Sequence, residues 1–236
     1  MSRVVDVNAD VGEGADDEKL MPFLTSCSIA CGGHTGDIES MLKALRLGRD
    51  HGLLMGGHPG YPDREGFGRR EWSILAADLF LSLASQLDAL GVAALQVEVD
   101  VTHVKTHGSL YDKAWRDDET ATVVARAVLA WSPEVALICP PGSAQEAAAK
   151  RLDVLVIREA FADRRYTADG TLVPRSEPGA VISDPSELKD QLSNIAGLEF
   201  DTLCFHSDNP AAADLLAALP GVIEELGWEI GPYPIP

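Results

Sequence analysis

The sequence predicts an α/β fold in which seven parallel strands form a (β/α) barrel, and two observations lead to this prediction. Short β-branched runs alternate with longer segments of helical period, which is typical of parallel strands joined by crossover helices. Ionisable or glycine-rich residues follow the carboxyl ends of nearly all these runs. Catalytic residues that come from the ends of several strands are typical of the carboxyl-terminal face of a (β/α) barrel. An open doubly wound sheet, the alternative, concentrates its chemistry at one switch point.

The predicted elements follow one another along the whole chain. The candidate strands are residues 4–7, 28–30, 53–55, 101–104, 135–139, 154–157 and 202–205. The candidate amphipathic helices are residues 38–51, 75–90, 121–131 and 185–195. The longest segment without a helical period, residues 158–183, is rich in Arg, Asp, Gly and Pro and predicts a lid or a docking surface.

Length and composition predict one soluble domain, residues 1–236. The 236 residues are 46% hydrophobic and 24% charged, which is enough for one substantial core and excludes disorder. The net charge of −18 disfavours nucleic acid and anionic membranes as partners. The chain begins without a secretory apolar region and has no run approaching a membrane span, so we expect a cytoplasmic protein. Four scattered cysteines predict buried thiols: Cys27, Cys31, Cys139 and Cys204.

The first strand carries polar residues towards its carboxyl end. Asn8 and Asp10 are two residues apart, so their side chains point to the same face, and Glu13 follows in a turn. Neighbouring carboxylates raise the pKa of one of them, which supplies a general acid or base near neutral pH, and they also suit a divalent cation. A turn or helix-capping acid is the plainer interpretation of this segment.

Glycine-rich segments follow the second and third strands. His34 lies in a turn before Asp37, which is a candidate N-cap for the next helix. His58 opens a segment, residues 56–70, in which Arg64 and Arg69 stand out in an acidic chain. Arginine forks hold carboxylates or phosphates, whereas solvated surface arginines are the alternative.

The fourth, sixth and seventh strands complete the set of candidate residues. His103, Lys105 and His107 alternate on one face of the fourth strand, and three cationic groups there are too costly for an ordinary core. An inward-facing Lys105 needs a depressed pKa or a carboxylate partner. Glu159 and His206 stand at the ends of the sixth and seventh strands, and Asp163, Arg164, Arg165 and Asp208 lie nearby. Four histidines at four strand ends favour one functional site.

Assembled in order, these segments resemble the family of 5-oxoprolinase A subunits, also called the LamB/YcsF family. The resemblance spans nearly the full length. Gly33, Thr35, Gly60, Thr106 and Ser207 depart from the usual family forms, but none replaces an ionisable group. The motifs are DVNADVGEG (6–14), SIACGGHTGD (28–37), GGHPGYPDREGFGR (56–69), HVKTHGSLYD (103–112), EAFADRRYTADGTLVPRSEPGAVI (159–182) and CFHSDNP (204–210).

The resemblance implies a variant, seven-stranded (β/α) barrel related to polysaccharide deacetylases. It implies ATP-dependent opening of the 5-oxo-L-proline lactam to L-glutamate, with ATP cleaved to ADP and phosphate, together with partner subunits B and C. The chain lacks a GxxxxGK[ST] loop and a kinase signature set, so we expect ATP with Mg²⁺ to be shared with the partners.

Roles for single residues follow from that reaction as hypotheses. Asp10 or Glu13 activates water or carries a proton, and Lys105, His107 and His58 stabilise charge on the former lactam oxygen. Arg64 or Arg69 holds the substrate carboxylate. The other expected substrate-binding residues are Asn8, His34, Glu159 and His206.

Metal binding and two other functions remain open at this stage. Asp10, His34, His58 and His206 offer nitrogen and oxygen ligands for a divalent metal, although no HxxxH or HExxH pair fixes the set. The first alternative is a stand-alone metal-dependent amidohydrolase or deacetylase acting on a carbohydrate or cyclic amide. The second is a chain that only binds or delivers the lactam to its partners.

Overall fold

Seven parallel strands close into a barrel in the computed structural model, which describes residues 3–233. Strand β1 pairs with both β2 and β7, so the sheet has no gap and the predicted barrel is confirmed over the open sheet. The strands are β1 (Arg3–Val11), β2 (Ser26–Ala30), β3 (Leu54–His58), β4 (Val101–Lys105), β5 (Ala136–Cys139), β6 (Val156–Phe161) and β7 (Thr202–Phe205).

An eighth strand, β8 (Trp228–Ile230), was not predicted. It pairs in parallel with Arg3, Val4 and Val5, before β2 joins the same strand at Asn8. Only three residues long and partly exposed, β8 offers no apolar run for a sequence pattern to detect. Strand β1 is also longer than predicted, because Asn8 and Asp10 lie within it rather than after it.

The helices form the outer layer of the barrel. Asp37 caps α2 as predicted, since its carboxylate accepts from the backbone N–H of Ser40 at 2.9 Å. Two short 3-10 turns, Met21–Phe23 and Pro185–Glu187, accompany the helices. The helices are α1 (Asp17–Leu20), α2 (Ile38–Asp50), α3 (Ala76–Val97), α4 (Gly108–Arg116), α5 (Asp118–Trp131), α6 (Ala144–Arg151), α7 (Leu188–Ile195) and α8 (Ala212–Glu225).

Helix α3 is the one described helix that is long and apolar enough to cross a membrane by length and composition. It packs between α2 and α5 in the outer layer, and Leu83, Leu87 and Leu90 are buried against its neighbours. A core helix of a soluble barrel passes the same test, and the packing of α3 accounts for its apolar residues.

Alternate side chains of β1 face opposite sides of the barrel wall. The odd-numbered residues from 5 to 11 are apolar and pack in the core between the strands and the outer helices. The even-numbered residues Asp6, Asn8 and Asp10 are buried and contact polar side chains of other strands across the interior. An unpaired buried polar group costs about 1–3 kcal/mol, so these contacts fix where each interior side chain lies.

The segment that follows β6 folds back over the carboxyl ends of the strands. Residues 158–161 belong to β6, so the loop is shorter than the predicted segment 158–183. Two antiparallel bridges, Arg164 with Val181 and Tyr166 with Leu172, hold the loop together. Residues 172–175 of this loop line one wall of the pocket described next. Its movement as a lid stays a prediction.

Candidate active site

A pocket of about 400 Å³ opens at the carboxyl ends of the barrel strands. This is the end at which loops of a (β/α) barrel assemble a site. Seven of the residues singled out from the sequence line it: Asp10, Glu13, His58, Arg69, Lys105, His107 and His206. Residues from β1, β3, β4 and the loop after β7 therefore converge on one cavity.

Lys105 is the centre of the polar network at the pocket floor. Its Nζ lies 2.7 Å from Asp10 Oδ1 and donates to Glu159 Oε1 at 2.8 Å and to Asn8 Oδ1 at 3.0 Å. Tyr111 donates its hydroxyl to Glu159 Oε2 at 2.8 Å. Asn8 and Glu159 do not line the pocket, and they hold Lys105 from below.

The charges of this network set the pKa of each member. Burial alone lowers the pKa of Lys105, but the Asp10, Cys204 and Glu159 side chains raise it well above its usual value. The prediction of a carboxylate partner is thus confirmed, and Lys105 stays charged. Burial raises the pKa of Asp10, and Lys105 and His206 outweigh this and lower it.

The expectation that close carboxylates raise one pKa is wrong for this pair. The pKa of Glu13 is also lowered, because its contacts with His107 and His34 outweigh its burial and the repulsion of Asp10. Each carboxylate has its own cationic or hydrogen-bonding partners, so neither needs to take up a proton.

Three histidines surround Glu13, and we call these four residues the histidine cluster: Glu13, His34, His58 and His107. Glu13 Oε1 lies 2.7 Å from His34 Nε2, 3.1 Å from His107 Nδ1 and 3.6 Å from His58 Nε2. The rings of His34 and His107 stack with their centroids 3.6 Å apart. Burial, followed by repulsion from His107, lowers the pKa of His58 well below its usual value.

The structure divides the metal ligands considered from the sequence into two groups. His34 and His58 belong to the histidine cluster, whereas Asp10 and His206 lie in a second group with Cys204. The set Asp10, His34, His58 and His206 therefore does not surround one point. Glu13 and His107, which the sequence assigned to catalysis, are the partners of the two cluster histidines.

A buried carboxylate orients His206 on the opposite wall. Its Nδ1 lies 2.8 Å from Asp163 Oδ1, and its ring stacks on Phe161 with centroids 5.2 Å apart. Asp163 also accepts from the backbone of His206 at 3.1 Å. With Nδ1 donating to Asp163, Nε2 is the nitrogen available to a bound molecule.

Cationic side chains line the pocket mouth. Arg69 and Arg175 both donate to Asp208 Oδ2, at 2.6 and 2.7 Å. Arg164 is only 7% exposed, and its Nε has no hydrogen-bond partner among the described residues. Arg164 also lines the pocket, and a guanidinium there is suited to an anionic group of a ligand.

Besides Asn8 and Glu159, two more residues predicted to bind substrate lie outside the pocket. Arg64 does not line the pocket and donates to the backbone carbonyls of Gly32 and Gly36, at 3.1 and 3.0 Å. It thus holds the turn that carries His34. His34 itself is 1% exposed and lies behind Glu13.

Sequence reasoning assigned no site role to Arg164, Asp163 and Tyr111. The signal for Arg164 and Asp163 was present, since both belong to a cluster of ionisable residues after the sixth strand. Tyr111 lies on α4, and only the fold brings its hydroxyl to Glu159.

Comparisons with known proteins agree with the fold and with the motifs. A polysaccharide deacetylase from Bacillus cereus shares the fold with a TM-score of 0.56 at 10% identity, over 98% of this chain and 92% of that chain. A relative from Chloroflexus aggregans, named as the A subunit of 5-oxoprolinase, is 42% identical over 242 aligned residues, 94% of this chain and 96% of the relative.

A solved structure and a family model indicate which family the chain belongs to. The crystal structure of a lactam utilization protein from Thermus thermophilus matches with a TM-score of 0.90 at 36% identity, over 98% of this chain and all of that chain. The model of the LamB/YcsF family matches residues 5–235. This chain therefore belongs to the LamB/YcsF family.

Proposed function

We propose that this chain is the A subunit of a cytoplasmic, ATP-dependent 5-oxoprolinase, in which it opens the lactam of 5-oxo-L-proline to give L-glutamate. The observation that carries the proposal is the buried Asp10–Lys105 pair, 2.7 Å apart, on the floor of a pocket lined by histidines and arginines. Relatives named as the A subunit of 5-oxoprolinase support the substrate and the enzyme class.

Asp10 is the residue placed to activate water. Its lowered pKa keeps it ionised at neutral pH, so it accepts a proton from a water molecule bound in the pocket. That water adds to the lactam carbonyl carbon, and the bond from this carbon to nitrogen then breaks. Lys105 stays cationic and stabilises the negative charge on the former carbonyl oxygen and its phosphoryl group, a contribution of about 3 kcal/mol for one well-placed donor.

Two further groups act on the ends of the substrate. Arg69 and Arg164, which both line the pocket, bind the substrate carboxylate. Asp163 holds His206 through Nδ1, so the lone pair of Nε2 faces the pocket; it takes the proton that Asp10 removes from water and passes it to the ring nitrogen as this nitrogen leaves.

ATP overcomes the low reactivity of the lactam when its γ-phosphoryl group is transferred to the amide oxygen and ADP is released. After the ring opens, a second water molecule displaces this group as phosphate and leaves the side-chain carboxylate of glutamate. The sequence holds no GxxxxGK[ST] loop, so we assign the nucleotide, with Mg²⁺, wholly or partly to subunits B and C. This chain then receives an activated lactam and supplies the water, the proton transfers and the carboxylate site.

The test is release of glutamate from 5-oxoproline by the purified chain, alone and mixed with candidate subunits B and C, with magnesium in excess. We expect release only from the mixture and only with ATP. No glutamate from any mixture contradicts the proposal. Release by the chain alone without ATP would instead support a stand-alone amidohydrolase.

A further inference from the structure

We propose that Glu13, His58 and His107 form a binding site for one divalent first-row transition-metal ion of the Zn²⁺ type. His34 positions Glu13 from behind. The inference deepens the proposed function, on which its catalytic meaning rests, but metal binding by this chain is measurable without substrate, ATP or partner.

Backbone carbonyls fix the proton positions on two of the histidines. His58 Nδ1 lies 2.8 Å from the carbonyl oxygen of Lys105, and His107 Nε2 lies 2.9 Å from that of Phe67. A carbonyl oxygen only accepts hydrogen bonds, so both of these ring nitrogens carry a hydrogen. A hydrogen bond from the other ring nitrogen to a carbonyl oxygen is the usual support of a metal-ligating histidine.

The remaining nitrogens of these two neutral rings face each other. His58 Nε2 and His107 Nδ1 are 3.1 Å apart, and each presents a lone pair to the other. Glu13 Oε1, also an acceptor, lies 3.1 Å from the second and 3.6 Å from the first. Three acceptors converge on one point, and only a cation or an added proton relieves their repulsion.

The spacing of these three atoms matches a metal site. Ligand atoms about 2.1 Å from a tetrahedral Zn²⁺ ion are separated from one another by roughly 3.4 Å. The separations of 3.1, 3.1 and 3.6 Å lie on both sides of that value. Three protein ligands with the fourth position facing a cavity is the arrangement of catalytic zinc sites. Glu13, His58 and His107 all line the pocket.

The surrounding backbone is built closely around the two imidazoles of His34 and His107. Phe67, whose carbonyl holds His107, has a positive φ of 54°, which is costly for a residue with a side chain. A β-carbon at Gly68 would lie 2.8 Å from the side chains of both His34 and His107. Such a backbone conformation persists only where the surrounding structure holds it. Here it directs the carbonyl oxygen of Phe67 towards His107 Nε2.

The experiment measures metal binding by the whole chain after removal of metal with a chelator. Co²⁺ is titrated into the protein, visible absorption bands report its coordination, and elemental analysis after Zn²⁺ loading gives the stoichiometry. We expect one ion per chain. Glu13→Gln and His107→Ala are expected to weaken binding by at least the roughly 10–100-fold that loss of an outer partner costs. Glu13→Gln keeps the size of the side chain, so it still tests the site if the His107→Ala variant does not fold.

Two matched variants test the position of the site. His206→Asn removes a histidine that was a metal candidate from sequence and lies in the other ligand group, and His51→Asn removes an exposed one. Both variants are expected to bind Co²⁺ with an affinity within about twofold of that of the unaltered chain. This change is much smaller than the roughly 10–100-fold loss expected for Glu13→Gln and His107→Ala. Failure of the unaltered chain to bind one ion, or equal binding by Glu13→Gln, overturns the proposal.

The outcome is separable from the fate of the proposed function. A shared proton between His58 and His107, seen as a single bridging proton by NMR with no metal uptake, overturns the metal site and leaves the oxoprolinase proposal intact. Stoichiometric Co²⁺ binding without glutamate release from any reconstituted mixture supports the site and contradicts the 5-oxoproline assignment.

Discussion

Lys105 is the residue whose removal should destabilise the fold most at this site. Its Nζ lies between two buried carboxylates, 2.7 Å from Asp10 Oδ1 and 2.8 Å from Glu159 Oε1. Replacement by methionine keeps the volume but leaves both carboxylates without their cation. Loss of one partner from a buried ion pair costs about 3–5 kcal/mol, so we expect Lys105→Met to lower the free energy of unfolding in urea by that amount.

Lys150→Met is the matched control for this prediction. The Lys150 amine also lies 2.7 Å from a carboxylate, that of Glu146, but its side chain is 59% exposed. Glu146 is buried but keeps a second cation, because Arg158 Nε lies 2.8 Å from it, so loss of the exposed Lys150 should cost about 0–1 kcal/mol. Similar losses for the two variants would show that the Lys105 network contributes little to stability.

Arg69 and Arg64 provide a comparison of a pocket arginine with a structural one. Arg69 lines the pocket, whereas Arg64 donates to backbone carbonyls outside it. A hydrogen bond to a charged group contributes about 1.5–3 kcal/mol, so we expect Arg69→Ala to raise KM for 5-oxoproline roughly 10–100-fold in the reconstituted complex. Arg64→Ala should lower the melting temperature with a far smaller effect on KM. The reverse order would contradict the placement of the carboxylate site.

At the scale of elements, strand β3 depends on two consecutive glycines. A β-carbon at Gly56 would lie 2.2 Å from the ring of His103, which is fully buried inside the barrel. Overpacking of this kind costs about 1–3 kcal/mol, so Gly56→Ala should lower the free energy of unfolding by at least that much. Chemical denaturation of the purified variant measures it.

Gly221→Ala is the control within a helix. Gly221 lies in α8, and a β-carbon there meets nothing within 4 Å. Alanine is favoured over glycine in a helix by roughly 0.5–1 kcal/mol, so this variant should be as stable as the unaltered chain or more so. Destabilisation by Gly221→Ala but not by Gly56→Ala would show that the interior of β3 has room to relax.

The apolar period of the chain predicted most of the elements that hold the site. The seven barrel strands and helices α2, α3, α5 and α7 were found because each has an apolar face to bury. Strand β8 was missed, since it is short and partly exposed. Helices α1, α4, α6 and α8 are also not among the candidate helices: α1 has only four residues, alanines dominate α6, and Pro220 interrupts α8. The end of β1 was placed too early, because a polar barrel interior makes Asn8 and Asp10 resemble loop residues.

The residues that meet at the site were predictable in part. A position directly after a strand predicts the end of the barrel at which a side chain lies, and this brought His58, His107 and His206 to one pocket. The same rule does not give direction within a loop. Arg64 and Arg69 are five residues apart in one loop, yet one binds backbone and the other lines the pocket.

At the scale of the whole molecule, the closed barrel has a polar interior that continues into the pocket. Asp6, Asn8 and Asp10 follow one another along β1 towards the pocket, and polar partners from other strands satisfy them. Each catalytic candidate on the floor is therefore held by strands rather than by loops, which gives it a fixed position before substrate binds. The loop over the mouth supplies Arg164 and Arg175, so it is the part of the site placed to respond to substrate.

The measurement that tests the central claim most directly is the turnover of a complex reconstituted with Asp10→Asn in this chain. Asparagine keeps the size of the side chain but cannot take a proton from water. General base catalysis contributes about 10²–10⁴-fold, so we expect glutamate release per complex to fall by that factor while the complex still assembles and still binds 5-oxoproline. Turnover within a few-fold of the unaltered complex would contradict the account, and would show that this chain delivers the lactam to a catalytic site on its partners.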